Sequence, residues 1–336
     1  MLSERTRPDL CTVAIPVSSV NTPEYLSDVS PRHKPWDQHR AEADEVQRVF
    51  DGGTDRHQRY AERVAACSQV LEFARDPPGA NRSKLKLKHV WFCRVRSCPV
   101  CQWRRALCWQ ARVYLCLPRL MKDYPDVKFL FLTLTIRNCK IENLRTTLKL
   151  LADGWKRLTE LREWPARGWV RSVEITRGKD GSAHPHYHCL LVVPPAYFQG
   201  DYLKQKQWAL LWKQCLRINY HPVVDIRVVK PEQRHASGEI TPATWNIWGA
   251  VVEILKYAVK PSDMIRDHDW FLQLTDQIHK TRAVAVGGIL KRYIREQKRE
   301  DLTSEPGEEQ PAGKAEQVFF GWKRHVLRYQ RLRLGK

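Results

Sequence analysis

His184-Pro-His-Tyr-His-Cys-Leu-Leu-Val-Val193 is the stretch on which the reading of this chain turns. In an extended strand, residues two apart share a face, so His184, His186 and His188 point the same way. Two neutral imidazoles at that spacing can grip one divalent cation. A third ligand has to come from outside the pair. Glu174, on the strand before, is brought alongside by the turn Gly178-Lys-Asp-Gly181, a hairpin signal. His184 competes for that role, although Pro185 can bend the strand end and carry it away. The bland alternative is a polar strand face with ordinary histidines. Three alternating histidines in front of an apolar run are rare by chance, so the metal reading is preferred. A His₂-carboxylate set with open positions suits a divalent ion that engages phosphate, with Mg²⁺, Mn²⁺ and Zn²⁺ undistinguished by the residues alone.

Working outward, the flanking elements have a readable order. Lys128 to Ile136 is an apolar, Thr-rich strand. Ile141 to Trp164 carries Leu144, Leu148, Leu151, Trp155, Leu158 and Leu161 on one stripe, which predicts a helix. Gly168 to Arg177 and His184 to Val193 form the hairpin. Tyr202 to Leu216 reads as a helix, Pro222 to Lys230 as a strand and Thr244 to Lys260 as a helix. The order β-α-β-β-α-β-α predicts an α+β fold. Its core is ferredoxin-like (βαββαβ), an antiparallel sheet with helices packed on one face.

The last of these helices contains Glu253-Ile-Leu-Lys-Tyr-Ala-Val-Lys260. At about 100° per residue, Val251, Ile254, Leu255, Ala258 and Val259 cover one side, and Glu253, Tyr257 and Lys260 gather opposite. A tyrosine hydroxyl is a poor nucleophile at its free pKa of about 10. A nearby cation, or a metal that polarises the target phosphate, makes its attack feasible. Glu253 can take the proton from a second attacker such as water. Taken alone, such a Glu/Lys pair is more often a solvated helical pair.

The 336 residues carry a formal net charge of +20, unevenly placed. Residues 1–80 hold 10 Lys and Arg against 13 Asp and Glu, whereas residues 81–336 hold 47 against 24. The excess belongs to the second part and points to a polyanionic partner. No apolar run reaches about 18 residues, which argues against a membrane span, and Met1 to Leu10 lacks the apolar stretch of a signal peptide. A cytoplasmic, bacterial location is the expectation. Residues 1–80 read as an acidic, flexible arm with one helix over Asp55 to Arg75. Residues 81–125 form a Cys-rich basic segment, 126–300 the main domain, 301–313 a linker and 314–336 a basic aromatic tail.

Ten cysteines in a chain without a secretion signal read as thiols or metal ligands. Cys93-x₄-Cys98-x₂-Cys101 contains a tight Cys-Pro-Val-Cys knuckle that can build part of a structural zinc site. Cys108 or His89 is the expected fourth ligand, and Cys67 is read as packing. Buried free thiols are the plain alternative. Arg94, Arg96, Arg104 and Arg105 around the knuckle suggest phosphate contacts. The tail Phe319-Phe-Gly-Trp-Lys-Arg-His-Val-Leu-Arg-Tyr329 suits either stacking on unpaired bases or docking on the core.

Three segments, taken together, resemble one family. Phe131-Leu-Thr-Leu-Thr-Ile-Arg-Asn138, His184-Pro-His-Tyr-His-Cys-Leu-Leu191 and Glu253-Ile-Leu-Lys-Tyr-Ala-Val-Lys260 follow the order of the three motifs of rolling-circle plasmid replication initiators (Rep proteins). These belong to the HUH endonuclease superfamily, named for His-hydrophobe-His, here His186-Tyr187-His188. The Cys93 to Arg105 segment resembles a Cys-rich stretch that precedes the first motif in one branch, and the likeness spans roughly residues 81–330. The resemblance implies a metal-dependent, site-specific DNA endonuclease and strand transferase. Metal on the His pair orients a scissile phosphate in single-stranded origin DNA. Tyr257 attacks, leaving a 5′-phosphotyrosyl link and a 3′-OH primer, and Glu253 activates water at termination. Glu174 matches the family's usual acidic ligand. Double-stranded origin recognition, a host helicase and a polymerase are implied partners. Competing readings are a non-catalytic, zinc-stabilised DNA-binding regulator, and another HUH enzyme, a relaxase or single-strand transposase. Thr133 and Thr135 are read as ordinary strand residues.

Overall fold

The computed structural model describes residues 23–75, 85–200, 202–229, 247–256, 259, 265–295 and 316–333. In chain order the elements are α1 (Leu26–Val29), α2 (Lys34–Asp51), α3 (Asp55–Ala66), β1 (Val70–Arg75), β2 (Leu85–Val90), α4 (Pro99–Asp123) and β3 (Lys128–Thr135). There follow α5 (Leu144–Thr159), β4 (Gly168–Arg177), β5 (Ala183–Val193), α6 (Gln205–Leu216), β6 (Val224–Val229) and α7 (Ile247–Ile254). The last are α8 (His268–Ile278), β7 (Val284–Gly288), α9 (Ile289–Arg295), β8 (Glu316–Lys323) and β9 (Arg328–Leu332).

The central sheet has the order β6-β3-β5-β4-β7, with every neighbouring pair antiparallel. Its first four strands, β3, β4, β5 and β6, stand in the ferredoxin-like arrangement expected of a βαββαβ unit, and β7 extends the β4 edge. The β4–β5 turn closes at Gly178–Ser182, where Gly181 takes φ +80°, a left-handed conformation that glycine adopts without penalty. Asp180 caps the turn by accepting from the Ser182 amide. This turn sets the register that places Glu174 opposite His186 and Ser172 opposite His188.

Helices cover both faces of this sheet, which corrects the one-face expectation. Leu130, Leu132, Leu134, Val173, Ile175, Cys189 and Leu191 pack with Leu148, Leu151 and Trp155 of α5 and with Trp208 and Trp212 of α6. Phe129, Phe131, Val170, Leu190 and Val192 face the other way and pack with Val113, Leu117 and Leu120 of α4, Val251 and Ile254 of α7, and Leu290 of α9. The physical reason is already in β3. Its residues 129–132 are apolar on both faces, the pattern of a strand covered twice.

A second sheet, β2-β1-β8-β9, joins residues 70–90 to residues 316–332. The flexible-arm reading is therefore corrected for residues 26–75, where α2 and α3 are long amphipathic helices. Trp36, Phe50, Phe73 and Tyr329 are fully buried in a shared core. The aromatic tail docks as the β8–β9 hairpin rather than lying free, and Tyr329 donates its hydroxyl to the Ser68 carbonyl at 2.6 Å. The expected linker, 301–313, lies outside the described residues.

One buried carboxylate holds the two ends together. Asp44 accepts from Arg40 at 2.5 Å, from Trp322 Nε1 at 2.9 Å and from Arg324 at 2.8 Å. Removing one partner of a buried pair leaves an uncompensated charge and typically costs about 3–5 kcal/mol. Asp44→Ala is therefore expected to lower unfolding stability by about that amount in urea titrations. Stability within about 0.5 kcal/mol of the parent would mean the network contributes little.

Candidate active site

Glu174, His186 and His188 share the sheet face that α4, α7 and α9 cover, and all three are buried. Strand register brings them together: β5 supplies the imidazoles and β4 the carboxylate. Glu174 Oε2 lies 2.9 Å from His188 Nε2 and 3.4 Å from His186 Nε2. The other ring nitrogens are engaged elsewhere. His186 Nδ1 donates to the His184 carbonyl at 3.2 Å, and His188 Nδ1 lies 3.2 Å from Thr133 Oγ1. Engaging Nδ1 turns each Nε2 toward the common point, the usual outer-shell device of metal-binding histidines.

These residues fit a divalent metal. One ligand atom from each falls within 4.8 Å of the others, and the set is His₂-carboxylate. His184 does not join it. Its ring stacks 5.0 Å from that of His186, and its contribution is the backbone carbonyl that orients His186. Of the two alternative third ligands, Glu174 is the one the geometry gathers. Burial raises the Glu174 pKa, but hydrogen bonds from His186 and His188 and the Lys256 ammonium outweigh it. The carboxyl is held well below the usual range and stays ionised at neutral pH.

The segment after α7 closes the site. Ser172 Oγ donates to the Ile254 carbonyl, fixing the helix end to β4. Val251, Ile254, Leu255 and Val259 are buried, although α7 ends at Ile254, short of the helix to Lys260 that the sequence predicts. Glu253 and Lys256 are half-buried on the other side. Lys256 Nζ sits 2.5 Å from Glu253 Oε1 and 3.2 Å from Glu174 Oε2. Burial lowers the Lys256 pKa, but the two carboxylates more than offset it and hold the ammonium charged. Lys256 is a site residue that sequence reasoning missed, although its spacing of three from Glu253 carries the signal. Thr133 is another, and no spacing marks it. Tyr257 and Lys260 lie outside the described residues.

The cysteines gather differently from the expectation. Cys67, Cys93, Cys98 and Cys101 form a buried group with all sulfur atoms within 4.8 Å of one another. Measured Sγ–Sγ distances are 3.5 Å for Cys93–Cys101 and 3.8 Å for both Cys67–Cys101 and Cys67–Cys98. Disulfides require about 2.05 Å, and all four are free thiols. Four sulfurs about 2.3 Å from a central tetrahedral ion stand about 3.8 Å apart, so this set fits zinc. Cys98 is the N-cap of α4 and Cys101 lies in its first turn, while Cys67 follows α3. Cys67 is thus corrected from packing residue to fourth member. Cys108 is two helical turns beyond Cys101, about 10 Å along α4, and His89 is exposed on β2.

The four arginines part company. Arg94 is exposed, and its carbonyl accepts from Arg105 at 2.7 Å. Arg104 is fully buried, with its guanidinium 5.2 Å from the rings of both Trp36 and Trp103, so the phosphate-contact expectation is corrected for it. Arg96 is turned inward, donating to the Ile278 carbonyl at 2.8 Å and the Thr281 hydroxyl at 2.7 Å. Arg94 and the half-buried Arg105 are left as candidates for contact with DNA.

Residues 84–330 match the model of the family described as replication protein. The chain belongs to this replication protein family. "Protein rep" of Bacillus amyloliquefaciens is 34% identical over 257 residues, which cover 73% of this chain and 75% of the relative. "Protein rep" of Lentilactobacillus hilgardii is 30% identical over 294 residues, 83% of this chain and 88% of the relative. That of Streptococcus pneumoniae serotype 2 is 31% identical over 237 residues, 68% and 69% respectively. No solved structure is a significant match. The chain is accordingly a plasmid replication initiator of the Rep kind. No helix among the described residues is long and apolar enough to cross a membrane.

Proposed function

We propose that this Rep protein nicks single-stranded DNA at a plasmid origin through a phosphotyrosyl intermediate and later rejoins the strand. The observation that carries the reading is the convergence of His186, His188 and Glu174 at one point, with Glu253 and Lys256 beside it. A non-catalytic regulator has no use for that set.

A divalent ion on His186, His188 and Glu174, Mg²⁺ or Mn²⁺, supplies Lewis-acid polarisation of the scissile phosphate. His184 and Thr133 hold the two imidazoles in orientation. Tyr257, the residue after Lys256, is the nucleophile. Its oxygen bonds to phosphorus as the bond to the 3′ oxygen breaks, leaving a 5′-phosphotyrosine and a 3′-OH. Lys256 offsets charge that builds on the phosphate, and Lys260 is the nearby cation that makes the attack of Tyr257 feasible. Glu253 accepts a proton from water when the link is hydrolysed at termination. The 3′-OH is a primer for a polymerase, and strand displacement calls for a helicase. The Cys67, Cys93, Cys98 and Cys101 group holds structural zinc, and Arg94 and Arg105 contact the DNA.

The test is incubation with a labelled single-stranded origin oligonucleotide and Mn²⁺. A covalent protein–DNA adduct that maps to the peptide bearing Tyr257 is expected. Absence of any cleavage across the origin region would favour the regulator. Glu253→Ala is expected to form the adduct at near-parental rate but to release it by hydrolysis about 10²-fold more slowly. Unchanged release would remove Glu253 from the mechanism.

A further inference from the structure

Between α4, the β4–β7 edge and the residues after α7 lies a cavity of about 230 Å³. Gln102, Arg105 and Trp109 of α4 line it with Arg96, Leu255 and Lys256. Ser172, the register partner of His188, also lines it, so the cavity opens beside the candidate metal centre.

Its chemistry is selective. Among the described residues the lining holds three cations and no carboxylate. Arg96 uses Nη1 to clasp Ile278 and Thr281, while its Nε and Nη2, both buried, have no partner among the described residues. Burial, with the nearby Arg105 charge, lowers the Arg96 pKa to about 10. Buried charged donors of this kind call for an acceptor. Trp109 adds a flat apolar wall, and Arg112 lies 4.7 Å over its ring and helps fix its orientation. The volume falls below the roughly 300–1,000 Å³ of sites for whole drug-sized ligands. A single planar ring with acceptors on its edge suits both the space and the charge.

We propose that this cavity receives one base of the single-stranded substrate, flipped out beside the scissile phosphate and stacked against Trp109. This rests on the nicking reading, whose substrate it makes more specific. The acceptor edge of the base turns toward Arg96 and Arg105. Guanine, with O6 and N7 adjacent, matches a guanidinium best. Flipping one base also bends the strand, which presents its neighbouring phosphate to the metal centre.

The experiment scans an origin oligonucleotide that the wild-type protein binds, making each nucleotide abasic in turn and measuring affinity by fluorescence anisotropy. One position within a few nucleotides of the nick is expected to lose about tenfold or more, and replacing a guanine there by another base should lose nearly as much. Trp109→Ala and the cavity-filling Ala106→Trp should each bind the intact oligonucleotide about tenfold more weakly and show less than about a twofold abasic penalty at that position. Using both variants guards against misfolding of either one, and thermal melts report the fold directly. Equal losses at every abasic position in the wild type overturn the proposal, as does a penalty that survives in both variants. Failure of the nicking reading shows separately, as no covalent adduct with any oligonucleotide, and the affinity scan still decides whether the cavity takes a base.

Discussion

His186→Ala/His188→Ala is expected to reduce adduct formation to background while leaving affinity for single-stranded DNA within a few-fold of the parent. A Lewis-acid metal contributes several kcal/mol to the charged transition state. At about 1.4 kcal/mol per factor of ten, loss of about 4 kcal/mol is already about 10³-fold in rate. The double variant leaves Glu174 as the last of three converging ligands, with Lys256 already 3.2 Å from its oxygen. A lone carboxylate paired with an ammonium has little hold on Mn²⁺. Thr133→Val separates the ligand role from the orienting role. It removes the oxygen 3.2 Å from His188 Nδ1 and should weaken Mn²⁺ about 10–100-fold. Excess metal should restore its nicking, whereas the double variant should not recover. Isothermal titration with Mn²⁺, alongside gel assays for the adduct, checks each point. Nicking at parental rate by the double variant would remove these histidines from the chemistry.

The legible part of this protein is the part whose function depends on local periodicity. The alternation of His184, His186 and His188 fixed their common face, and the glycine-rich turn fixed the register that sets Glu174 opposite His186. The leucine stripe of α5 follows the period of 3.6 and packs as that period predicts. Contacts between segments far apart in the chain were not legible. Cys67 precedes Cys93 by 26 residues, and their sulfurs meet only once α3 and α4 have both packed on α2. Arg104 and Arg96 read as surface cations because charge is usually solvated. Trp36 over one, and the backbone carbonyls around the other, come from partners dozens of residues away. Residues 26–51 carry two prolines, Pro31 and Pro35, and a strongly polar composition, which obscured the buried stripe of Trp36, Ala43, Val46 and Phe50. Helices covering the second sheet face were announced only by short runs apolar on both faces, with Phe129 and Phe131 in β3 and Leu190 and Val192 in β5.

Cys67→Ser carries the other large effect, because this thiol joins two parts of the fold. Cys67 ends α3 beside the β1–β8 sheet, whereas Cys98 is the N-cap and Cys101 lies in the first turn of α4, which runs on beneath the central sheet. A metal held by all four therefore ties the N-terminal helices and C-terminal hairpin to the scaffold of the nicking site. The Cys93 amide donates to Cys67 Sγ at 3.4 Å, an outer-shell contact that favours the thiolate a zinc ion requires. Structural zinc sites contribute apparent binding free energies of about 10–16 kcal/mol at neutral pH, and binding is coupled to folding. Serine cannot supply a soft thiolate, so most of that coupling should be lost. The purified parent is expected to carry one zinc per chain by mass spectrometry. Cys67→Ser should carry well under half, melt far below the parent and aggregate or lose the buried tryptophan fluorescence of Trp36. Cys108→Ser is the matched control. It is a buried cysteine on the same helix outside the cluster, so it should keep full zinc and lose only packing energy, on the order of 1 kcal/mol. Stoichiometric zinc in Cys67→Ser, or equal losses in both variants, would return Cys67 to the packing role its isolated place in the sequence suggests.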